Sequence, residues 1–165
     1  MFTGLTENAI NNSINALSRL LANSYVLCLK TQNAHWNITS HNFIELHKFF
    51  EKQYKELFEA VDAIAERIRA LGYNAPASLQ TFLSLTSITD YAPTIDTNAM
   101  IKSLENDHST MILEIRLMLQ NLKELQDEAT IDLMISRLHV HEKAAWMLKA
   151  MSCDNSPRVL SSRAC

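Results

Sequence analysis

Four residues in one stretch of this chain combine the two side-chain types best suited to holding iron. His47, Glu51, Asp62 and Glu66 follow one another at spacings of four, eleven and four. At about 100° per residue, all four fall within a sector of about 100° on a single helix. Imidazole and carboxylate together suit iron and its neighbours in the transition series. A carboxylate stripe is more often a solvated helix face, and Glu56 and Glu59 are expected to be that. A histidine on a core-facing seam, as His35 and His47 both are, is more often a satisfied core group. Glu51 and Asp62, however, share their stripe with Phe58 and Ala65. That mixture implies partial burial, and buried carboxylates need partners.

One chain cannot bring this set to one ion. With a rise of 1.5 Å per residue, Glu51 and Asp62 are separated by about 16 Å along the axis, and His47 and Glu66 by about 28 Å. Metal–ligand bonds are only about 2 Å long. Two chains can do it. Positions 47 and 66 lie equally far either side of the midpoint between residues 56 and 57, and so do 51 and 62. If the helix packs antiparallel against its own copy across a two-fold axis at that height, His47 faces the copy's Glu66 and Glu51 faces its Asp62. Symmetry then makes two identical intersubunit sites. His35 joins them if the helix that carries it packs beside this one in the same subunit.

The elements that must position these groups can be read from apolar periodicity. A first helix is expected from about Glu7 to Ile38, with Thr6 as N-cap, because Ile10, Ile14, Leu17, Leu21, Ser24, Cys28, Thr31 and His35 alternate at steps of four and three. A second is expected from about Asn42 to Leu71, ending at Gly72, with Phe43, His47, Phe50, Tyr54, Leu57, Val61, Ile64, Ile68 and Leu71 on its seam. Ala75-Pro76-Ala77-Ser78 breaks the chain, and a short helix fits Leu79 to Leu85. A third long helix starts after Asp96, with Ile101, Leu104, His108, Met111, Ile115, Met118, Leu122 and Leu125 inward; a fourth runs from about Ala129 to Met151. Two glycines, three prolines and 47% hydrophobic residues favour such long helices over strands and turns. The expectation is an all-α four-helix bundle with a short extra helix between the second and third long ones, one domain over residues 1–151, and a loose tail over 152–165.

The same residues carry a family resemblance. Ala34-His35-Trp36-Asn37, then Asn42-Phe43-Ile44-Glu45-Leu46-His47, then Tyr54, then Asp62-Ala63-Ile64-Ala65-Glu66-Arg67-Ile68-Arg69-Ala70-Leu71-Gly72 strongly resemble the signature of Dps mini-ferritins. Ala129-Thr130-Ile131-Asp132-Leu133 through His141-Glu142-Lys143-Ala144-Ala145-Trp146-Met147-Leu148 looks like that family's last helix. The resemblance extends to about Met151 and implies a ferritin-like bundle assembled into a hollow dodecamer. It implies a ferroxidase that oxidises Fe²⁺ at a di-iron centre, with hydrogen peroxide preferred to oxygen, stores a ferric mineral and so protects against oxidative stress. Carried over position by position, its metal ligands are His35, His47, Glu51, Asp62 and Glu66, the first three from one subunit and the last two from its mate.

Departures from the family accompany the match. Glu51 stands where many members have aspartate, Lys48 and Lys52 where others supply acids for mineral nucleation, and Thr39-Ser40 lacks a customary glycine. Trp36 reads as an interface aromatic more readily than as an electron donor. Asp127, Glu128 and Asp132 read either as an acidic iron-entry pore or as charge compensation at a helix N-terminus. Glu105-x-x-His108 is half of the classical ferritin pattern without its second half, so His108 is taken as structural. His139 and His141 point to different faces, and His41 belongs to a loop.

Composition excludes several classes. A formal charge of −3 provides no global attraction to nucleic acid or an anionic membrane. No run approaches the roughly 18 apolar residues of a membrane span, and the first six residues do not read as a signal peptide. Three cysteines without C-x-x-C spacing fit neither a disulfide framework nor a zinc knuckle, and a cytoplasmic protein is the expectation. The competing function is a nucleoid-binding, DNA-coating protein. Residues 1–18 contain no Lys or Arg and the tail offers only Arg158 and Arg163 against Asp154, so DNA binding is expected to be weak or absent.

Overall fold

In a computed structural model describing residues 3–92 and 95–152, the chain forms five α-helices with no strand among the described residues. They are α1 (Glu7–Asn37), α2 (Phe43–Ala70), α3 (Leu79–Leu85), α4 (Thr97–Leu122) and α5 (Glu128–Met151). The boundaries follow local chemistry. The Thr6 hydroxyl accepts from the Ala9 N–H, Ser78 from Thr81, and the Asp96 carboxylate from Ala99, each satisfying an orphan donor of a first turn. At the end of α2, Gly72 takes φ +92°, a left-handed conformation that costs glycine nothing. The expected tail beyond Ser152 lies outside the described residues.

The α1–α2 and α4–α5 pairs are helical hairpins, and α3, within the longer connection, packs on α1. The expected seams of α1, α2 and α4 meet in one core of Leu17, Leu21, Leu57, Ile64, Ile68, Leu104, Met111 and Ile115, all essentially inaccessible to solvent. Each such side chain contributes about 1.5–3 kcal/mol by burial. Phe43 departs from its seam and is exposed at the start of α2, where the helix runs past the end of the core. Cys28 is a buried thiol whose pKa burial pushes up to about 11.

Polar ties hold the hairpins in register. Asn23 donates to Glu114 at 2.6 Å and Lys30 sits 2.7 Å from Asp107, which sets α1 antiparallel to α4. Lys30 is buried, also donates to the Thr89 carbonyl at 2.6 Å, and lies over the Tyr91 ring. Between α2 and α5, Arg137 grips Glu56 through both carboxylate oxygens. Glu56, expected to be solvated, keeps 38% of its side chain accessible, but the opposing guanidinium draws it against α5. Of the two readings of Asp127, the structure supports the one at the helix N-terminus. The residue is buried, caps α5 through Thr130, accepts from Ser13 at 2.6 Å and pairs with Arg67 at 2.5 Å. Burial would raise its carboxyl, yet those hydroxyl, N–H and guanidinium partners outweigh burial and hold it below its ordinary value. Glu128 and Asp132 remain exposed.

His108 and His141 meet inside the core with their Nδ1 atoms 2.9 Å apart, one donating to the other. The structural reading of His108 fits this burial, and His139 is exposed on another face as expected. Burial, assisted by nearby Arg137, pushes His108 down to about 3 from 6.5 and lowers His141 in the same direction. Both imidazoles stay neutral while the unfolded chain takes up protons. Their contribution to stability is thus complete above about pH 6.5 and lost progressively as pH falls toward about 3. The urea midpoint should fall across that window. In a His108→Leu, His141→Leu double variant the slope should flatten; an unchanged slope would show the pair is not its source.

Candidate metal centre

The end of the first hairpin places His35, in the last turn of α1, against His47, in the second turn of α2. Their rings stack at 3.8 Å between centroids and 18° between planes. Each ring bonds the other residue's backbone. His35 Nδ1 is 2.9 Å from the His47 carbonyl, and His47 Nδ1 is 2.9 Å from the His35 carbonyl. A carbonyl can only accept, so each Nδ1 must carry the proton. In the neutral imidazoles the lone pair then resides on Nε2, the tautomer a metal ligand needs. The arrangement also satisfies one of the orphan carbonyls at the C-terminus of α1. The edge of Tyr54 packs on His35 at 5.2 Å and Phe43 stacks on His47 at 5.0 Å, so neither ring turns freely.

Glu51 stands one turn beyond His47, within electrostatic reach of both imidazoles. In the isolated chain its Oε1 is 2.5 Å from Lys55 Nζ, and that lysine holds the Glu51 carboxyl below its ordinary value. The pair is exposed and weak, so Lys55 is a displaceable stand-in for a cation. Asp62 and Glu66 are exposed further along α2, on the same face as Glu51. Their axial distance from the histidines leaves them outside the cluster, and no three His, Cys, Asp or Glu side chains converge on a metal position among the described residues.

The structure therefore brings His35, His47 and Glu51 to one end of α2 and leaves Asp62 and Glu66 toward the other. Between them, at the height of residues 56 and 57, the face carries Phe58, 64% exposed. Leu57 itself is buried, and Glu56 turns toward Arg137 of α5. The partial burial expected for Asp62 is absent, since nothing among the described residues covers that face. Trp36, at 62% exposure, and Ile44 extend the uncovered apolar surface beside the histidines.

Two contributions at the centre were not read from the sequence: Lys55 was not singled out, and Tyr54, on the expected seam and in the family signature, was given no role there. Lys55 follows Glu51 by four residues, a spacing that signals a helical ion pair. Tyr54 follows His47 by seven, which places it two turns along the same side of the helix. The crossed bonds to the backbone had no signal, because they depend on the path of the turn over residues 38–42.

Comparison with known proteins agrees with the architecture. A family model described as a ferritin-like domain matches residues 14–153. The chain is 36% identical over 149 residues to a low temperature-induced protein of Nostoc, covering 89% of this chain and 83% of that one. It is 33% identical to DNA protection during starvation protein 2 of Bacillus anthracis, covering 83% of this chain and 94% of the relative. Among solved structures, a Dps protein from Vibrio cholerae, described as a member of a broad superfamily of ferritin-like diiron-carboxylate proteins, superposes with a TM-score of 0.83 at 34% identity, covering 88% of this chain and 92% of that one.

Proposed function

We propose that this chain, which belongs to the ferritin-like family and within it to the Dps-type mini-ferritins, oxidises ferrous iron at sites shared by two subunits and stores the ferric product inside a hollow homo-oligomer. The observation that carries this reading is the crossed His35–His47 pair, which leaves both Nε2 atoms free with Glu51 in electrostatic reach, while no third His, Cys, Asp or Glu side chain joins them in a metal-sized cluster among the described residues. Asp62 and Glu66 stand uncovered on the same face of α2, at the positions that two-fold symmetry maps opposite Glu51 and His47. The remaining ligands come from Asp62 and Glu66 of the partner subunit. Twelve subunits is the number that the family resemblance implies.

Fe²⁺ enters as substrate. His35 and His47 present fixed neutral nitrogen donors, and the three carboxylates supply hard oxygen donors that hold iron in both oxidation states. Glu51 exchanges Lys55 for the incoming cation. Two irons per site, each losing one electron, together with two protons from solvent reduce one hydrogen peroxide to two waters without a one-electron step that would free hydroxyl radical. The test is anaerobic addition of Fe²⁺ to metal-free protein followed by limited peroxide. Ferric absorbance should rise far faster than in buffer and consume one peroxide for two irons. A rate equal to that of buffer would leave the centre a structural device.

Protection by this account is chemical rather than a coating of DNA. The chain is net negative and its first positive side chain is Arg19. Phosphate contacts, which dominate such binding, are therefore few. No gel shift is expected with duplex DNA at about 150 mM salt, near the ionic strength of cells. A clear shift at submicromolar protein would make the coating function the better account.

A further inference from the structure

On the flank of the ligand stripe that leads toward α5, Lys48, Glu51, Lys52, Lys55, Glu56 and Glu59 line one shallow, open depression of about 460 Å³. Lys48, Lys52 and Lys55 follow one another at four and then three residues, so one side of α2 carries all three. They lie about 40–100° round the helix from Glu51, in the direction away from Phe58. Lys143 of α5 lines the adjoining cleft together with Lys52 and Glu56. All four lysines are exposed, and Lys48, Lys52 and Lys143 have no ion-pair partner among the described residues. The nearby acids do not neutralise them. Glu51 is bound to Lys55 and Glu56 to Arg137, which leaves Glu59 alone, four residues beyond Lys55. Four lysines and Arg137 thus stand against three glutamates, a positive surface on a chain of net charge −3.

Like charges at these helical spacings repel one another, and an anion that several ammonium groups share removes that cost. Phosphate suits the task better than a carboxylate, because it has more oxygens and more charge to divide among point-charge donors such as lysine. Position supplies a second reason. Lys55 is the residue that an incoming cation displaces from Glu51, so loading the metal centre hands the patch a further free ammonium. An anion held there sits about one helical turn along α2 from Glu51. Its hard oxygens are also good donors to Fe³⁺. We propose that Lys48, Lys52, Lys55 and Lys143 form a binding site for inorganic phosphate, which meets ferric iron leaving the adjacent centre and is stored with it. Fe³⁺ and HPO₄²⁻ combine as FePO₄ and release one proton to water. Storage in this form rests on the ferroxidase reading; the anion site itself does not.

Calorimetric titration of the metal-free, full-length protein with inorganic phosphate at about 150 mM NaCl tests the site without iron. Saturable binding is expected, with a Kd of about 1 mM. A Lys48→Gln, Lys52→Gln double variant should bind at least about tenfold more weakly, with unchanged helicity. Glu51→Gln, which frees Lys55 as iron does, should bind about threefold more tightly, the scale of one exposed ion pair. After Fe²⁺ and peroxide are added in phosphate, iron retained by the lysine double variant should carry less phosphate per iron than in the wild type, at an equal rate of oxidation. Absence of saturation up to about 10 mM, or unchanged affinity in either variant, would overturn the site. So would displacement of the phosphate by a short DNA duplex at micromolar concentration, which would assign the lysines to nucleic acid. Equal phosphate per iron in the double variant would overturn the storage role. Phosphate binding by a protein that oxidises iron no faster than buffer would support the site while removing the ferroxidase reading beneath that role.

Discussion

Replacing Asp62 by alanine is expected to lower peroxide-driven iron oxidation by at least about a hundredfold, to the rate of buffer, since even the loss of an outer-sphere partner costs a metal site 10–100-fold. The interest lies in where Asp62 stands. In its own chain it is exposed, bonded to nothing among the described residues, and far from both histidines. A surface substitution of that kind changes stability by only about 0.5 kcal/mol, so the fold of Asp62→Ala should be intact by circular dichroism. A large kinetic loss with an unchanged fold has one explanation in these terms: the carboxylate completes a site on another subunit. Glu59→Ala, also exposed on α2 but off the stripe, should oxidise iron like the wild type. Stopped-flow absorbance on the three proteins decides it. An active Asp62→Ala would remove the partner's carboxylates from the account.

Asp127→Ala should show the largest loss of stability, about 3 kcal/mol, the lower end of the cost of breaking a buried ion pair. The lower end applies because Arg67 keeps a path to solvent, with 20% of its side chain accessible. Three elements meet at this carboxylate. It caps α5 through the Thr130 N–H, accepts from Ser13 of α1 and pairs with Arg67 of α2. Alanine removes the cap, leaves the buried Ser13 hydroxyl without its partner and strips the Arg67 guanidinium of its carboxylate, leaving it the Thr130 hydroxyl. For a chain of this size the expected fall in Tm is about 6–12 °C, read by thermal circular dichroism. Asp127→Asn, which keeps the cap oxygen but not the charge, should lose roughly half as much, as a cap alone is worth about 1 kcal/mol. A fall of 2 °C or less in the alanine variant, outside the roughly 2–4 °C that each kcal/mol moves Tm, would mean that the three contacts do not act together.

The helices and most of their inward faces could be read from the sequence because apolar residues repeat cleanly along α1, α2 and α4. The short helix over Leu79–Leu85 announced itself through the breaker before it and Ser78 as cap. The inward face of α5 did not. Its buried line runs Thr130, Met134, Arg137, His141, Ala144 and Leu148, half of it polar, and only the structure shows the partners that make such burial affordable. The partner of Glu56 was missed for the same reason: a carboxylate on a helix looks solvated until the guanidinium opposite it, here Arg137, is in view. For Asp127, placement at the start of α5 was one of the two readings open, and only the structure adds Ser13 and Arg67.

The centre divides in the same way. Spacing alone placed His47, Glu51, Asp62 and Glu66 on one face of α2, and that face is where they stand. The crossed bonds that fix the histidine tautomers depend on the turn between α1 and α2 and could not be read from spacing. Symmetry of positions about residues 56 and 57 located the height of the proposed axis, while the exposed Phe58 identifies the side of the helix through which it would pass.

The central claim is that each site takes ligands from two chains, and complementation tests it most directly. His47→Ala and Asp62→Ala proteins, each inactive alone, are mixed in equal amounts, unfolded and refolded together. Half of the two-fold pairs then contain one chain of each kind, and each such pair has one site lacking both groups and one site complete. The mixture should recover about a quarter of the wild-type rate of peroxide-driven iron oxidation. Oxidation no faster than in either variant alone would contradict the shared site.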